Sequence, residues 1–194
     1  MTIEALAPVA SAHVIDSDEE SLAVAAELAE RFAQRAAERD ATRTLPRAEL
    51  DELSARGLLA ITVPREYGGA DVSAVTLAEI FRLLATADPN IAQIPQSHFV
   101  YINLIKRQGT NTLKRRLFAD LLAGKRLGNA QSEAGTKHVQ DFRTRLAAHP
   151  EGGFVLDGIK HYSTGALFAH WIPVLAKDAE DRVVVAFVPA DAPG

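Results

Sequence analysis

The sequence has no cysteine, one methionine and one tryptophan, and aromatic residues make up only 6% of it. Without thiols there is no disulfide, no thiolate nucleophile and no Cys-ligated zinc or iron–sulfur centre. Basic runs are missing as well: no Lys/Arg block exceeds the pair Arg115-Arg116, and the net charge is -4. A nucleic-acid or membrane-surface role therefore has no electrostatic support. No apolar stretch is long enough to span a bilayer, and the start lacks the basic and apolar regions of a signal peptide, so the expected location is cytoplasmic. His138, His149, His161 and His170 lack ligand spacing with a nearby acid, and no metal is expected.

What is present is an ordinary globular composition, 47% hydrophobic and 24% charged over 194 residues, enough for one domain or two small ones. The first two-thirds carry helical signals. Ser17-Asp18-Glu19-Glu20 reads as a capping box, opening a run in which Leu22, Ala26, Ala29, Phe32, Ala33 and Ala36 recur at helical spacing. The acidic-basic alternation from Glu27 to Asp40 reads as a solvated helix face. Pro46 suits a first turn, Leu50 and Leu53 face inward, and Gly57 suits a helix stop. A third helix is expected over Ser73 to Ala87, with Val75, Ala78, Phe81, Leu84 and Ala85 on its apolar side. A fourth covers "QIPQSHFVYINLIKRQG", where Pro95 either kinks the helix or marks its first turn. Thr110 caps a fifth, with Leu113, Leu117 and Leu121 inward and Gly124 ending it.

After Gly128 the period changes to that of strands. "FRTRLAAH" and "FVLDGIKHYST" flank Pro150-Glu151-Gly152-Gly153, a hairpin signal. "HWIPVLAKD" and "RVVVAFVPA" are two further strands joined by a polar turn. The expected class is α+β: a loose segment 1–15, a helical domain 16–126 and a mostly antiparallel β domain 127–194.

His98 and Tyr101 lie three apart on the fourth helix and so share a face. Each reads in two ways. His98 is either a core histidine bonded to a backbone carbonyl or a titrating group at a site; Tyr101 is either a satisfied core tyrosine or a ligand contact.

"GLLAITVPREYGGADVS" (Gly57 to Ser73) reads as a short buried strand or extended segment, a proline and a Tyr-Gly-Gly turn. With "LFADLLAGKRLGNAQSEAGT", "DGIKHYSTGALFAHWIPVLAK" and "VVAFVPADAPG" following in order, the chain resembles the acyl-CoA dehydrogenase superfamily. The resemblance implies an N-terminal helical domain and a β domain, with the superfamily's C-terminal four-helix bundle absent from these residues. "PQSHF", "GNAQSE" and "YSTGA" are similar to the flavin-dependent monooxygenase branch, the dibenzothiophene-monooxygenase-like and sulfur-acquisition oxidoreductases. That branch implies reduced FMN delivered by a separate reductase, oxygen adding to give a flavin C4a-peroxide, and an organosulfur or related small molecule as substrate. It also implies a homotetramer for the superfamily's full-length members.

Departures from the dehydrogenase pattern point the same way. Ser132-Glu133-Ala134 replaces Thr-Glu-Pro. The Gly-Ser-Asp loop that helps hold the pyrophosphate of FAD is lost, with Gly135-Thr136-Lys137 nearby. Tyr162-Ser163-Thr164-Gly165 replaces Trp-Ile-Thr-Asn. The resemblance thus implies Asn129, Gln131, Ser132, Tyr162, Ser163, Thr164 and Trp171 at the cofactor, His98 and Tyr101 at the substrate, and His98, Ser163 and Asn129 in catalysis. Glu133 is either a base or the residue that fixes the flavin loop, and Trp171 either walls the flavin or anchors the β core. The alternatives are an FAD-dependent acyl-CoA dehydrogenase and a non-catalytic flavin-carrying or assembly subunit.

Overall fold

The computed structural model describes residues 12–193 except Thr136, Val139 and Gln140. In chain order they form α1 (Asp18–Ala33), α2 (Ala36–Thr42), α3 (Arg47–Ala55), α4 (Ala74–Ala87), α5 (Pro89–Gln93), α6 (Gln96–Gln108), α7 (Asn111–Leu122), β1 (Arg145–Ala148), β2 (Phe154–Asp157), β3 (Trp171–Lys177) and β4 (Val183–Pro189). The chain divides after Arg126 into two compact units, one helical and one built on strands.

Local capping places the helix starts. Ser17, Ser73 and Thr110 accept backbone N–H bonds three residues on, at 3.2, 3.0 and 3.2 Å, and open α1, α4 and α7, satisfying donors that a helix start leaves free. The capping box is modified: the Glu20 carboxylate turns to the Asp16 N–H and to His13 Nε2. Residues 1–11 of the segment expected to be loose lie outside the described residues. Its end is docked, since His13 N–H donates to the Ala55 carbonyl at 2.8 Å and Ile15 is buried. Gly57, at φ +79°, stops α3 as expected; a side chain there would also meet the His13 carbonyl at 2.3 Å.

Tertiary packing corrects several phases. α1 buries Ser21, Val24, Ala25, Leu28, Ala29 and Phe32 rather than the stripe through Leu22 and Ala26. In α4 the buried residues are Thr76, Ile80 and Leu84, and Val75 is 80% exposed. An alanine-rich helix offers several nearly equivalent apolar faces, so packing partners choose among them. The fourth expected helix is α6, with Pro95 at its start as the N-cap rather than at a kink; a short helix that the sequence reading did not foresee, α5, precedes it, capped by Asp88 through Asn90 N–H and Ile91 N–H. Gly57 to Val63 is buried, apart from half-buried Thr62, but not extended; Ala60 N–H and Val63 N–H close successive turns onto the carbonyls three residues back.

In the second unit the sheet order is β2-β1-β3-β4. The β1–β2 hairpin pairs Arg145 with Asp157 and Ala148 with Phe154, turning through Gly152 and Gly153 at positive φ. β3 and β4 are antiparallel over their full length, whereas β1 meets β3 in parallel. The sheet is therefore mixed.

Candidate functional site

The segments that resemble flavin-contact motifs converge in the β unit. Residues 127–132 run parallel beside β3: Gly128 N–H donates to the Trp171 carbonyl at 2.8 Å, and Ala130 exchanges backbone bonds with Pro173 and Leu175 at 3.0 and 3.1 Å. Such pairing alternates side chains across the strand. Ala130 accordingly turns into the core, while Asn129 and Gln131 are half-buried on the other side. Gly128 permits the approach, because a Cβ there would stand 2.9 Å from Ala169 Cβ and 3.0 Å from Ala166 Cα. One residue further on, Ser132 pairs with His161, whose N–H reaches the Ser132 carbonyl at 2.8 Å. The 127–132 segment is thereby joined to Tyr162-Ser163-Thr164-Gly165.

That second segment is a tight polar turn. Thr164 N–H donates to the Tyr162 carbonyl and Ala166 N–H to the Ser163 carbonyl, at 2.9 and 3.1 Å. Tyr162 sits at φ +56° and is 89% exposed. A left-handed tyrosine is uncommon and needs surrounding structure to hold it. Ser163 and Thr164 are half-buried, and Trp171 is buried at the start of β3.

Asn129 carries the observation most specific to a ligand. Its Oδ1 is shielded from solvent and has no hydrogen-bond partner. Buried polar atoms in folded proteins are nearly always paired, so an orphan acceptor calls for a donor from elsewhere. The N–H edge of an isoalloxazine ring is such a donor, and these residues fit a flavin.

Glu133 is not a free base. It accepts Arg143 N–H at 2.7 Å, Thr144 N–H at 3.0 Å, the Thr144 hydroxyl at 2.7 Å and the Lys160 ammonium at 2.7 Å. Burial pushes its carboxyl upward, but the lysine, the threonine hydroxyl and the two amides outweigh that and draw it down to about 2. A carboxylate so held stays ionised and fixes backbone. Lys160, the other half of this pair, escaped the sequence reading, although a lysine in the motif that pairs with "QSE" was visible there. Of the altered Gly135-Thr136-Lys137, Thr136 lies outside the described residues.

His98 and Tyr101 belong to the helical unit, and both are buried there. The His98 ring, 2% exposed, donates from Nε2 to the Leu59 carbonyl at 2.6 Å. Burial lowers its pKa to about 4, the Leu59 bond opposing and the Arg126 charge assisting. The ring is therefore neutral near pH 7, in the surroundings of a core histidine. The same unit has a groove of about 480 Å³ between α4 and α6, lined by Thr62, Leu77, Phe81, Gln96, Phe99 and Asn103 among others. Neither His98 nor Tyr101 lines it. The Thr62 hydroxyl oxygen is buried without a partner.

The profile of the acyl-CoA dehydrogenase N-terminal domain matches residues 17–125. The chain belongs to the acyl-CoA dehydrogenase superfamily. Within the superfamily it is 32% identical to a dibenzothiophene monooxygenase of Rhodococcus erythropolis over 92% of its own length and 44% of that protein's. Among solved structures it resembles FMN-bound TdsC from Paenibacillus sp. A11-2, with a TM-score of 0.82 and 29% identity over 90% of this chain and 45% of that one. It also resembles the methanesulfinate monooxygenase MsuC of Pseudomonas fluorescens, with a TM-score of 0.77 and 26% identity over 89% and 44%. The chain thus spans less than half the length of these relatives. Among the described residues no group of three or more His, Asp and Glu side chains could hold a metal ion, and no helix is long and apolar enough to cross a membrane.

Proposed function

We propose that the protein is a flavin-dependent monooxygenase that uses reduced FMN, supplied by a separate reductase, to oxygenate an organosulfur or related small molecule. The orphan Oδ1 of Asn129 carries the reading, and the likeness to dibenzothiophene and methanesulfinate monooxygenases supports its chemistry. Reduced FMN, when bound, supplies the two electrons with which dioxygen gives one atom to substrate and the other to water. In this reading Asn129 accepts a hydrogen bond from the flavin ring and so sets its orientation. The Ser163 hydroxyl donates or relays a proton at the oxygen-binding position, with Gln131, Ser132, Tyr162 and Thr164 completing the polar lining. Trp171, buried at the start of β3, anchors the strand on which Asn129 is hung. His98, neutral and bonded to Leu59, holds the turn at 57–63 against α6 rather than transferring a proton, and Tyr101 is a buried residue of the same helix. The aromatic groove between α4 and α6 suits an apolar sulfur compound with one polar group. Cytoplasmic location and assembly into a tetramer belong to the same proposal.

Fluorescence titration of the intact protein with FMN and with FAD tests the cofactor. FMN is expected to bind tighter by about tenfold or more, a difference of about 1.4 kcal/mol. Tighter FAD would favour a dehydrogenase instead. Product formed per reduced FMN consumed, with dibenzothiophene and methanesulfinate as probes, tests the reaction.

A further inference from the structure

A lysine is seldom buried without a task, because desolvating an ammonium is costly. Lys160 keeps only 8% of its side chain exposed and its partner Glu133 only 6%. The ammonium reaches Glu133 Oε1 at 2.7 Å and the Gln131 carbonyl at 3.2 Å, and it stands 4.9 Å from the centre of the Phe142 ring. Both oxygen acceptors lie in the 129–133 segment, whereas the lysine immediately precedes His161-Tyr162-Ser163-Thr164. One side chain therefore bridges the two candidate flavin segments, next to the backbone tie between His161 and Ser132.

The surroundings are built to keep that bridge rigid. Glu133 is fixed further by Arg143 N–H on Oε2 and by the amide and hydroxyl of Thr144, which share Oε1 with the lysine. Gly158, at φ +153°, lets the chain leading to Lys160 cross Thr144 closely: a Cβ there would lie 2.3 Å from Thr144 Oγ1 and 2.7 Å from its Cα. A buried ion pair often adds little net stability compared with apolar residues of the same shape. Its distinctive contribution is geometry, since it is satisfied in one arrangement only.

We propose that Lys160 is a positioning residue, a clamp that sets the spacing between Asn129 and Ser163 by locking the segments 129–133 and 160–165 together. The proposal rests on the flavin reading above for its functional consequence, but the clamp itself does not. Removing the charge should leave the sheet standing while the two segments lose their common register. The same should follow from Glu133→Gln, because both residues act through one bridge.

The experiment is a double-mutant cycle in the intact protein, with Lys160→Met, Glu133→Gln and the pair together. Three quantities are read: FMN affinity by fluorescence, the absorbance spectrum of bound FMN, and amide hydrogen exchange of residues 129–133 and 160–165 without flavin. Each single variant should weaken FMN by about tenfold or more, the scale seen when a partner that orients a ligand-binding group is lost. The double variant should be no worse than the weaker single, since coupled residues are non-additive. Exchange should rise in both segments together. Should Lys160→Met fail to fold, Lys160→Gln, which keeps a donor without charge, takes its place. Wild-type FMN affinity and spectrum in the single variants, with only a lowered melting temperature, would overturn the clamp. So would additive losses, or faster exchange in one segment alone. A wild-type protein that binds no flavin would overturn the flavin reading instead, and the exchange measurement would then still decide the clamp.

Discussion

In the helical unit Arg39 is buried, with its guanidinium divided between Asp88, Glu49 and the Phe32 carbonyl. Arg126 is likewise buried and bonded to the Leu50 carbonyl, the Ser54 hydroxyl and Asp51. In the β unit the Lys160–Glu133 pair is just as fully matched, yet Asn129 a few residues away leaves its Oδ1 unanswered. The apolar side differs too: among the described residues, the largest fully buried side chains all lie in the helical unit, while β1 and β2 are largely exposed. Among the described residues the large apolar core is concentrated in the helical unit, while each unit leaves a buried polar oxygen unanswered, Thr62 Oγ1 in the helical unit and Asn129 Oδ1 in the β unit. Binding sites commonly give up local stability in this way.

The largest expected effect is in the helical unit. Asp88→Ala should cost about 3–5 kcal/mol in chemical unfolding, because it strands a buried arginine and removes the cap of α5. A loss below about 1 kcal/mol would mean that Arg39 finds water, and that this unit is less tightly matched than it looks.

Acid should separate the two units next. The folded His98 ring takes a proton only near pH 4, whereas the unfolded ring takes one near its ordinary value of 6.5. The unfolded state then binds more protons between those values, so stability falls as pH drops from 6.5 to 4, by on the order of 3 kcal/mol. His98→Gln, which offers an amide donor to Leu59 and does not titrate, should flatten that slope in unfolding curves taken across the window. Glu133 acts lower. Its carboxyl is held at about 2 against an ordinary 4.5, so its contribution is complete above 4.5 and is lost as pH falls through 2.

Asn129→Leu should show the opposite balance of effects. Replacing an unpartnered polar atom with an apolar one should leave the melting temperature of the flavin-free protein unchanged or raise it. FMN affinity should fall by about tenfold, roughly one hydrogen bond's worth. A destabilised protein with unaltered FMN affinity would make Asn129 an ordinary core residue. The smallest effect is expected at Phe154, which is 74% exposed on the edge strand β2. Phe154→Ser should change stability by no more than about 0.5 kcal/mol, and a larger loss in the intact protein would show that this face is covered there.

The grouping of the candidate residues was legible in the sequence where the motif is contiguous. Asn129, Gln131 and Ser132 fall on one short extended segment, and Tyr162 to Thr164 on one turn, so order along the chain foretold their grouping. Reading failed where burial decides the role. His98 followed by Phe99 is compatible with a site or a core, and only the bond to Leu59, far away in sequence, distinguishes them. Arg39 sits in an alternation of charges that suggested solvent, but its partner Asp88 arrives from the junction of α4 and α5.

The sequence by itself determined the helix caps at Ser17, Ser73 and Thr110, the stop at Gly57, the hairpin at Gly152-Gly153 and the change from helical to strand period after Gly128. Each depends on groups a few residues apart, whose hydrogen bonds and φ angles are decided locally. Tertiary structure alone decided which stripe of α1 and α4 is buried, that β1 lies parallel to β3, and that Lys160 closes on Glu133. Those outcomes depend on partners distant in sequence, and burial, which makes an ion pair or a lone amide oxygen consequential, exists only once the chain has packed.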